Sequence, residues 1–250
     1  MKFSEVFHIK KPILGMLHLK GDTPEETLER AMKELQIYEE GDVDGVIVEN
    51  YFGTYDDMVL VLNEIEKRKT DLVVGANCLG CDALGFELAS RYPFVKFIQI
   101  DSVVGHVKER NEANLRAFFK LYRERVNVCV FGGVRFKYQP VLSIRTVEED
   151  LQIAQNRCDA ICVTEDATGQ ETSMEKIIKF RNELKNFPLV VAAGTNIDNI
   201  AKQLEYCDAA IVGSTFKDTR KDTGNVSLKN VQEFMEVVKL FRKEHYDTSR

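Results

Sequence analysis

Eight short apolar runs, rich in β-branched residues, recur along the chain, and between them apolar residues return every three or four positions. The runs are PILGMLHL, DGVIVEN, DLVVGAN, VKFIQID, VNVCVFGG, DAICVTE, PLVVAAG and AAIVGS. Between the first two lies PEETLERAMKELQIYEE, whose Leu28, Met32 and Leu35 share one helical face. Thr23 and Pro24 read as its N-cap and first-turn proline. The closing segment, SLKNVQEFMEVVKLFRKEH, sets Val231, Phe234, Val238 and Phe241 on one face of a last helix.

Strands alternating with helices imply parallel pairing through right-handed crossovers. Eight such units in 250 residues match the size of a (β/α)₈ TIM barrel. The competing architecture, a doubly wound open sheet, usually shows G-x-G-x-x-G after its first strand, whereas the first run here ends in GMLHL. No linker or low-complexity stretch divides the chain, so residues 1–250 are expected to form one barrel domain. The N-terminal MKFSEVF is expected to close its bottom or flank. A weak repeat agrees with equivalent βα pieces: DVDGVIV, RCDAICV and YCDAAIV each place an Asp and a small residue before an apolar run.

Composition narrows the function classes. The chain is 44% hydrophobic and 30% charged, with a net charge of −6 and no Lys/Arg run, which gives nucleic-acid binding little electrostatic support. No apolar run approaches the roughly 18 residues that span a bilayer. The N-terminus lacks the pattern of a signal peptide, so a cytoplasmic protein is expected. Six cysteines in such a chain read as reduced thiols. Cys78 and Cys81 form a lone C-x-x-C, and Cys158 and Cys162 a C-x-x-x-C, but Cys162 lies inside an apolar strand. A buried small hydrophobe is its simpler reading. No metal site and no cofactor are expected.

In a barrel the chemistry sits where the strands end, at the C-terminal face. Period two along the strands puts His18 at the end of the first, Glu49 of the second, Asn77 of the third, and Gln99 and Asp101 of the fourth. Continued past two glycines, it points Arg135 and Lys137 of the fifth into the mouth, and it points Cys162 with Thr164, or Glu165 one register off, inward from the sixth. Each polar residue alone can be explained by packing or helix capping. Their convergence on one rim is harder to explain structurally, because buried charges are costly unless they pair or meet a ligand. His18, Glu49, Asn77, Asp101 and Lys137 are therefore the candidate catalytic residues. Glu49 is expected to hold the His18 imidazole and raise its pKa toward neutrality. Lys137 is a candidate Schiff-base nucleophile or general base, with a structural ion pair as the alternative. Arg135 is a candidate phosphate or carboxylate ligand.

The last two strands end alike, in VVAAGTNIDNI and AAIVGSTF. Gly194 and Gly213 let a ligand approach the backbone. The residues after each are expected to enter a helix N-terminus, where free N–H groups favour an anion. Thr195, Asn196, Ser214 and Thr215 are candidate side-chain donors. Loops after strands seven and eight are where many TIM barrels hold phosphate.

The stretches KPILGMLHL, GDVDGVIVENYFG, GANCLGCDALGFELA, VRFKYQP, ICVTEDATGQET, VVAAGTNIDNI and DAAIVGSTFKDT together resemble the BtpA/SgcQ family of (β/α)₈ proteins, across almost the whole chain. The resemblance implies a phosphate-binding barrel with His18, Glu49, Asn50, Asp82, Lys137, Thr168, Gly169, Gly194 and Gly213 on motif positions. Thr168 and Gly169 thereby join the candidate ligand-binding residues. The chain departs from the family at Tyr138, where members often carry His, and at LGCDA in place of LRNDA. One cyanobacterial member is associated with photosystem I biogenesis and another lies in a sugar-utilisation gene cluster. The expected function is an enzyme (lyase, isomerase or transferase) acting on a small phosphorylated, sugar- or nucleoside-derived metabolite. The alternative is a non-catalytic assembly factor, and a homo-oligomer is compatible with either.

Overall fold

The alternation of apolar runs and helical segments closes on itself. A computed structural model describes residues 1–105 and 112–246 of the chain. In it β1 (Ile13–His18), β2 (Gly45–Glu49), β3 (Val73–Asn77), β4 (Val95–Ile100), β5 (Cys129–Gly133), β6 (Ala160–Val163), β7 (Leu189–Val191) and β8 (Ala209–Val212) form a closed barrel in sequence order. Every pairing is parallel, including β8 with β1. A short helix, α1 (Phe3–Val6), precedes β1. Outside the strands run α2 (Pro24–Glu40), α3 (Tyr55–Arg68), α4 (Asp82–Arg91), α5 (Glu112–Arg125), α6 (Val147–Gln155), α7 (Met174–Leu184), α8 (Ile200–Leu204) and α9 (Leu228–Tyr246). This is a TIM barrel. Among the described residues no helix is long and apolar enough to cross a membrane.

Local signals set the helix starts. Thr23 accepts from the Glu26 N–H and Pro24 opens α2, and Thr54 and Thr146 form capping boxes with Asp57 and Glu149. Two cores result from the strand alternation. One face of each strand packs against the helices, while Leu14, Met16, Ile47, Phe97, Phe131, Cys162, Val190 and Ile211 fill the barrel itself. A glycine is required at position 75 because a Cβ there would lie 2.3 Å from Cζ of Phe97. Below, α1 closes the N-terminal end: Phe3 stacks on Phe131 at 5.8 Å and Phe7 lies 5.6 Å from Phe97.

The three Asp-containing repeats share one role. Asp44, Asp159 and Asp208 each accept the N–H of a residue opening the preceding neighbour strand, from Ile13, Val130 and Leu189. Each also pairs with an arginine: Asp159 and Asp208 with Arg123 of α5 and Arg181 of α7, the helices before those strands, and Asp44 with Arg242 of the last helix, α9. The carboxylate thus satisfies a strand-end donor that would otherwise lack a partner, and it ties helix, strand and next strand together at the bottom of the barrel.

Candidate functional site

Register brings the polar strand ends into a row. His18 pairs with Glu49 across β1–β2, Glu49 with Asn77 across β2–β3, and Asn77 with Gln99 across β3–β4. All four side chains are buried. Nε2 of His18 lies 3.3 Å from Oε2 of Glu49. Asn77 Nδ2 donates to Glu49 Oε1 at 2.7 Å and to Asp101 Oδ1 at 3.3 Å, and Gln99 Nε2 donates to the same Asp101 oxygen at 3.1 Å. Tyr51, just past β2, stacks on the His18 ring at 4.7 Å and screens it from solvent.

Burial decides the charge of this row. It pushes the Glu49 carboxyl up to about 8, helped by the Asp101 carboxylate and opposed by Lys137. It pushes the His18 imidazole down to about 3, and the positive charges of Lys217 and Lys137 add to that effect. At neutral pH the pair is therefore uncharged, which corrects the expectation that Glu49 raises the histidine pKa: burial lowers it, and a protonated Glu49 has no charge to oppose that. A protonated Glu49 has an O–H to offer Nε2, which leaves the ring proton on Nδ1. That nitrogen is buried with no hydrogen bond of normal geometry, although the Asp222 backbone is near enough to favour the protonated ring weakly.

The glycine loops meet this row at a shared cavity. A cavity of about 120 Å³ is bounded by His18, Glu49, Gln99 and Lys137 on one side and by Thr168, Gly169, Gly194, Thr195, Asn196, Gly213, Ser214 and Thr215 on the other. Gly194 adopts φ +65° and has the Gln170 carbonyl 2.1 Å from where a Cβ would sit, so only glycine fits. Gly213 faces the imidazole, with His18 Cε1 3.3 Å from its Cβ position.

The helix N-terminus expected after each glycine is not there in that form. After Gly194 the chain turns, and α8 begins only at Ile200; after Gly213 there is a single 3₁₀ turn, Ser214–Phe216. Three of the expected side-chain donors support the loops instead. Thr195 Oγ1 donates to Gln203 Oε1 at 3.0 Å, Thr215 Oγ1 donates to the Thr195 carbonyl, and the Asn196 side chain accepts from the Asp198 N–H at 2.9 Å. Backbone N–H groups of the 3₁₀ turn remain, as at any helix start.

Arg135 does not reach the mouth. The alternation breaks after Gly133, Arg135 takes φ +49°, and its guanidinium turns outward to Asp150 at 3.0 Å and the Arg145 carbonyl at 2.7 Å. Phe136 takes the inward position instead. Lys137 does line the cavity, its backbone N–H held by Thr164 Oγ1 at 2.7 Å and its Nζ 5.5 Å above the Phe136 ring. Glu165 accepts from the Ser173 N–H at the start of α7. Asn50 clamps the β3–α4 loop through both the N–H and the carbonyl of Leu79, and Asp82 opens α4, away from the cavity lining. The cysteines are free thiols, and among the described residues no group of three or more His, Cys, Asp or Glu is arranged to hold a metal ion.

Two basic residues join the site without a clear mark in the sequence. Arg220 borders the cavity from the loop after β8, holding the Thr215 carbonyl and Asn230 Oδ1. Its one signal is a cation in TFKDTRKDTG, just past a glycine-ended strand. Lys217 is wholly buried, with Nζ 3.1 Å from both carboxylate oxygens of Glu34 on α2. Glu34 also accepts from Arg30 and from the Val226 N–H, so this pair anchors both ends of the 217–226 loop that carries Arg220. Nothing in the local pattern of a polar loop marks a lysine as buried.

The BtpA family model matches residues 9–240. An uncharacterized protein of Methanocaldococcus jannaschii is 26% identical over 254 residues, covering 90% of this chain and 94% of its own. The photosystem I biogenesis protein BtpA of Synechocystis is 26% identical over 242 residues, covering 87% and 84%. Among solved structures, the native KDPGal structure aligns with a TM-score of 0.64 at 13% identity, over 97% of this chain and 100% of that one. N-(5'-phosphoribosyl)anthranilate isomerase from Pyrococcus furiosus aligns with a TM-score of 0.59 at 14% identity, over 92% and 99%. Thiamine phosphate pyrophosphorylase from the same organism gives 0.57 at 12%, over 92% and 96%. These structural likenesses are of fold, whereas the family match runs through the strand ends and glycine loops just described: the chain belongs to the BtpA family.

Proposed function

We propose that this barrel is an enzyme that binds a small phosphorylated, sugar- or nucleoside-derived metabolite at its C-terminal mouth. The phosphate lies against the backbone at Gly194–Asn196 and Gly213–Thr215, with Thr168 and Gly169 beside it and Arg220 supplying positive charge. The observation that carries this reading is that one small cavity is walled by both glycine loops and by His18, Glu49 and Gln99 of the buried polar row. Its volume, about 120 Å³, is below the ~300–1,000 Å³ of sites for drug-sized ligands and suits a compact one. The fold neighbours whose names contain a phosphorylated compound support the same reading.

Within that site Glu49 acts as the proton donor, since burial keeps its proton on at neutral pH. His18, neutral and hydrogen-bonded to it, relays the proton through the ring. Asn77 and Asp101 hold Glu49 in place, and Lys137 serves as nucleophile or as a countercharge to an oxyanion. Proton transfer beside a phosphorylated chain is a step common to aldol cleavage, isomerisation and glycosyl-phosphate transfer.

A thermal scan with ribose 5-phosphate tests the site. At 100 times its dissociation constant a ligand stabilises by about 2.7 kcal/mol. Gly213→Asp, which projects a carboxylate across the His18 ring, should abolish that shift and leave the barrel folded. Equal shifts in both proteins would remove the phosphate assignment. The Synechocystis relative's name supports a second reading, a non-catalytic assembly factor on the same scaffold. Under that reading no phosphorylated substrate is turned over, and His18→Ala leaves assembly intact.

A further inference from the structure

Gln99 holds an unanswered hydrogen-bond acceptor at the floor of the cavity. The side chain is only 5% exposed, it lines the cavity, and its Oε1 has no partner. The amide cannot turn to relieve this, because Nε2 donates to Asp101 Oδ1 at 3.1 Å and a flip would set carbonyl against carboxylate. Asp101 therefore fixes Oε1 in the other direction. Its register partners leave no donor: Asn77 directs its Nδ2 to Glu49 and Asp101, and Phe131 on β5 is apolar. A water can meet the acceptor in the free protein, but a ligand seated in so small a cavity displaces it and must supply a donor itself.

We infer that Gln99 is a specificity-determining residue whose amide oxygen accepts a hydrogen bond from a hydroxyl on the ligand, at the end remote from its phosphate. This rests on the phosphate reading above and narrows it. The site takes phosphate esters that carry free hydroxyls and rejects their deoxygenated counterparts, because the latter leave a buried acceptor unpaired.

The test uses matched phosphate monoesters of three to five carbons: glycerol 3-phosphate against n-propyl phosphate, erythrose 4-phosphate against n-butyl phosphate, and ribose 5-phosphate against n-pentyl phosphate. Inorganic phosphate is the common reference, and affinities are measured by calorimetry. In the wild type at least one hydroxylated member should bind about tenfold tighter or more than its alkyl partner. Gln99→Met should reduce that ratio to near one while affinities for the alkyl esters and inorganic phosphate hold. Gln99→Asn, which keeps the amide but withdraws it by one methylene, should lower the ratio as well and serves if the first variant fails to fold. Equal binding within every pair in the wild type, or a ratio that survives both variants, overturns the role of Gln99 and leaves the phosphate site standing. If neither inorganic phosphate nor any ester binds, the phosphate reading fails and this inference fails with it.

Discussion

The imidazole of His18 and the carboxyl of Glu49 meet as two uncharged groups, 3.3 Å apart at directly paired positions of β1 and β2. Their pKa shifts have opposite signs, which gives the pair a distinctive dependence of stability on pH. Folded Glu49 keeps a proton that the unfolded chain releases between about 4.5 and about 8, so its effect on stability falls as pH rises through that window. Folded His18 refuses a proton that the unfolded chain takes up below 6.5, so its effect rises between about 3 and 6.5. The two oppose each other from 4.5 to 6.5, and above that only Glu49 acts. Between pH 6.5 and 8 the wild type should lose ~2 kcal/mol relative to Glu49→Gln, at about 1.36 kcal/mol per unit. Urea titrations of both proteins at the two pH values measure it, and parallel pH curves would contradict the buried proton.

Arg135 belongs to the wall of the barrel. Its partner Asp150 is fully buried and shared with Arg145. Arg135→Met should lower stability by about 1–3 kcal/mol, since Arg145 still neutralises the carboxylate. Inorganic phosphate affinity should not change, and a tenfold weakening would return Arg135 to the ligand site.

The Glu34–Lys217 pair tests how the 217–226 loop is held. Lys217→Met leaves the buried Glu34 carboxylate only Arg30 and the Val226 N–H and should cost about 1–3 kcal/mol, whereas Glu34→Leu combined with Lys217→Met should recover most of that loss. Chemical denaturation of the single and double variants reads the difference. A double variant as unstable as the single one would mean that the loop needs the charges themselves.

Lys137 can be assigned by trapping. With glycerol-derived or pentose-derived phosphorylated aldehydes and ketones as probes, borohydride should leave a covalent adduct on Lys137, detected by mass spectrometry and absent in Lys137→Met. No adduct, with activity still lost in the variant, would assign the lysine to electrostatic stabilisation.

The strands and helices are legible in the sequence because each carries a period, and the Asp repeats mark real clips: Asp44, Asp159 and Asp208 do the same work three times. Strand-end residues are legible as far as the alternation runs, which brings His18, Glu49 and Asn77 together. It fails just past β5, where Arg135 enters the left-handed region and turns outward, so that Phe136 points inward while Lys137 still lines the cavity. The charge state of His18 is hidden from the sequence because desolvation depends on packing by Tyr51 and the neighbouring strands, and no local pattern encodes that. Lys217 and Arg220 are hidden for a related reason: their loop is ordered by Glu34, 183 positions away from Lys217.

The contact of Gly213 with His18 spans the seam where the last strand meets the first. His18 leaves the ribosome early, and Gly213 emerges 195 positions later, a delay of ~10–40 s at about 5–20 residues per second. For much of that interval, once Gln99 and Asp101 are made and until Gly194 follows, the nascent chain carries the polar row without either glycine loop. A message truncated between codons 101 and 194 therefore yields a polypeptide with the polar row and neither glycine loop to face it, and such partial products should be silent rather than weakly competent.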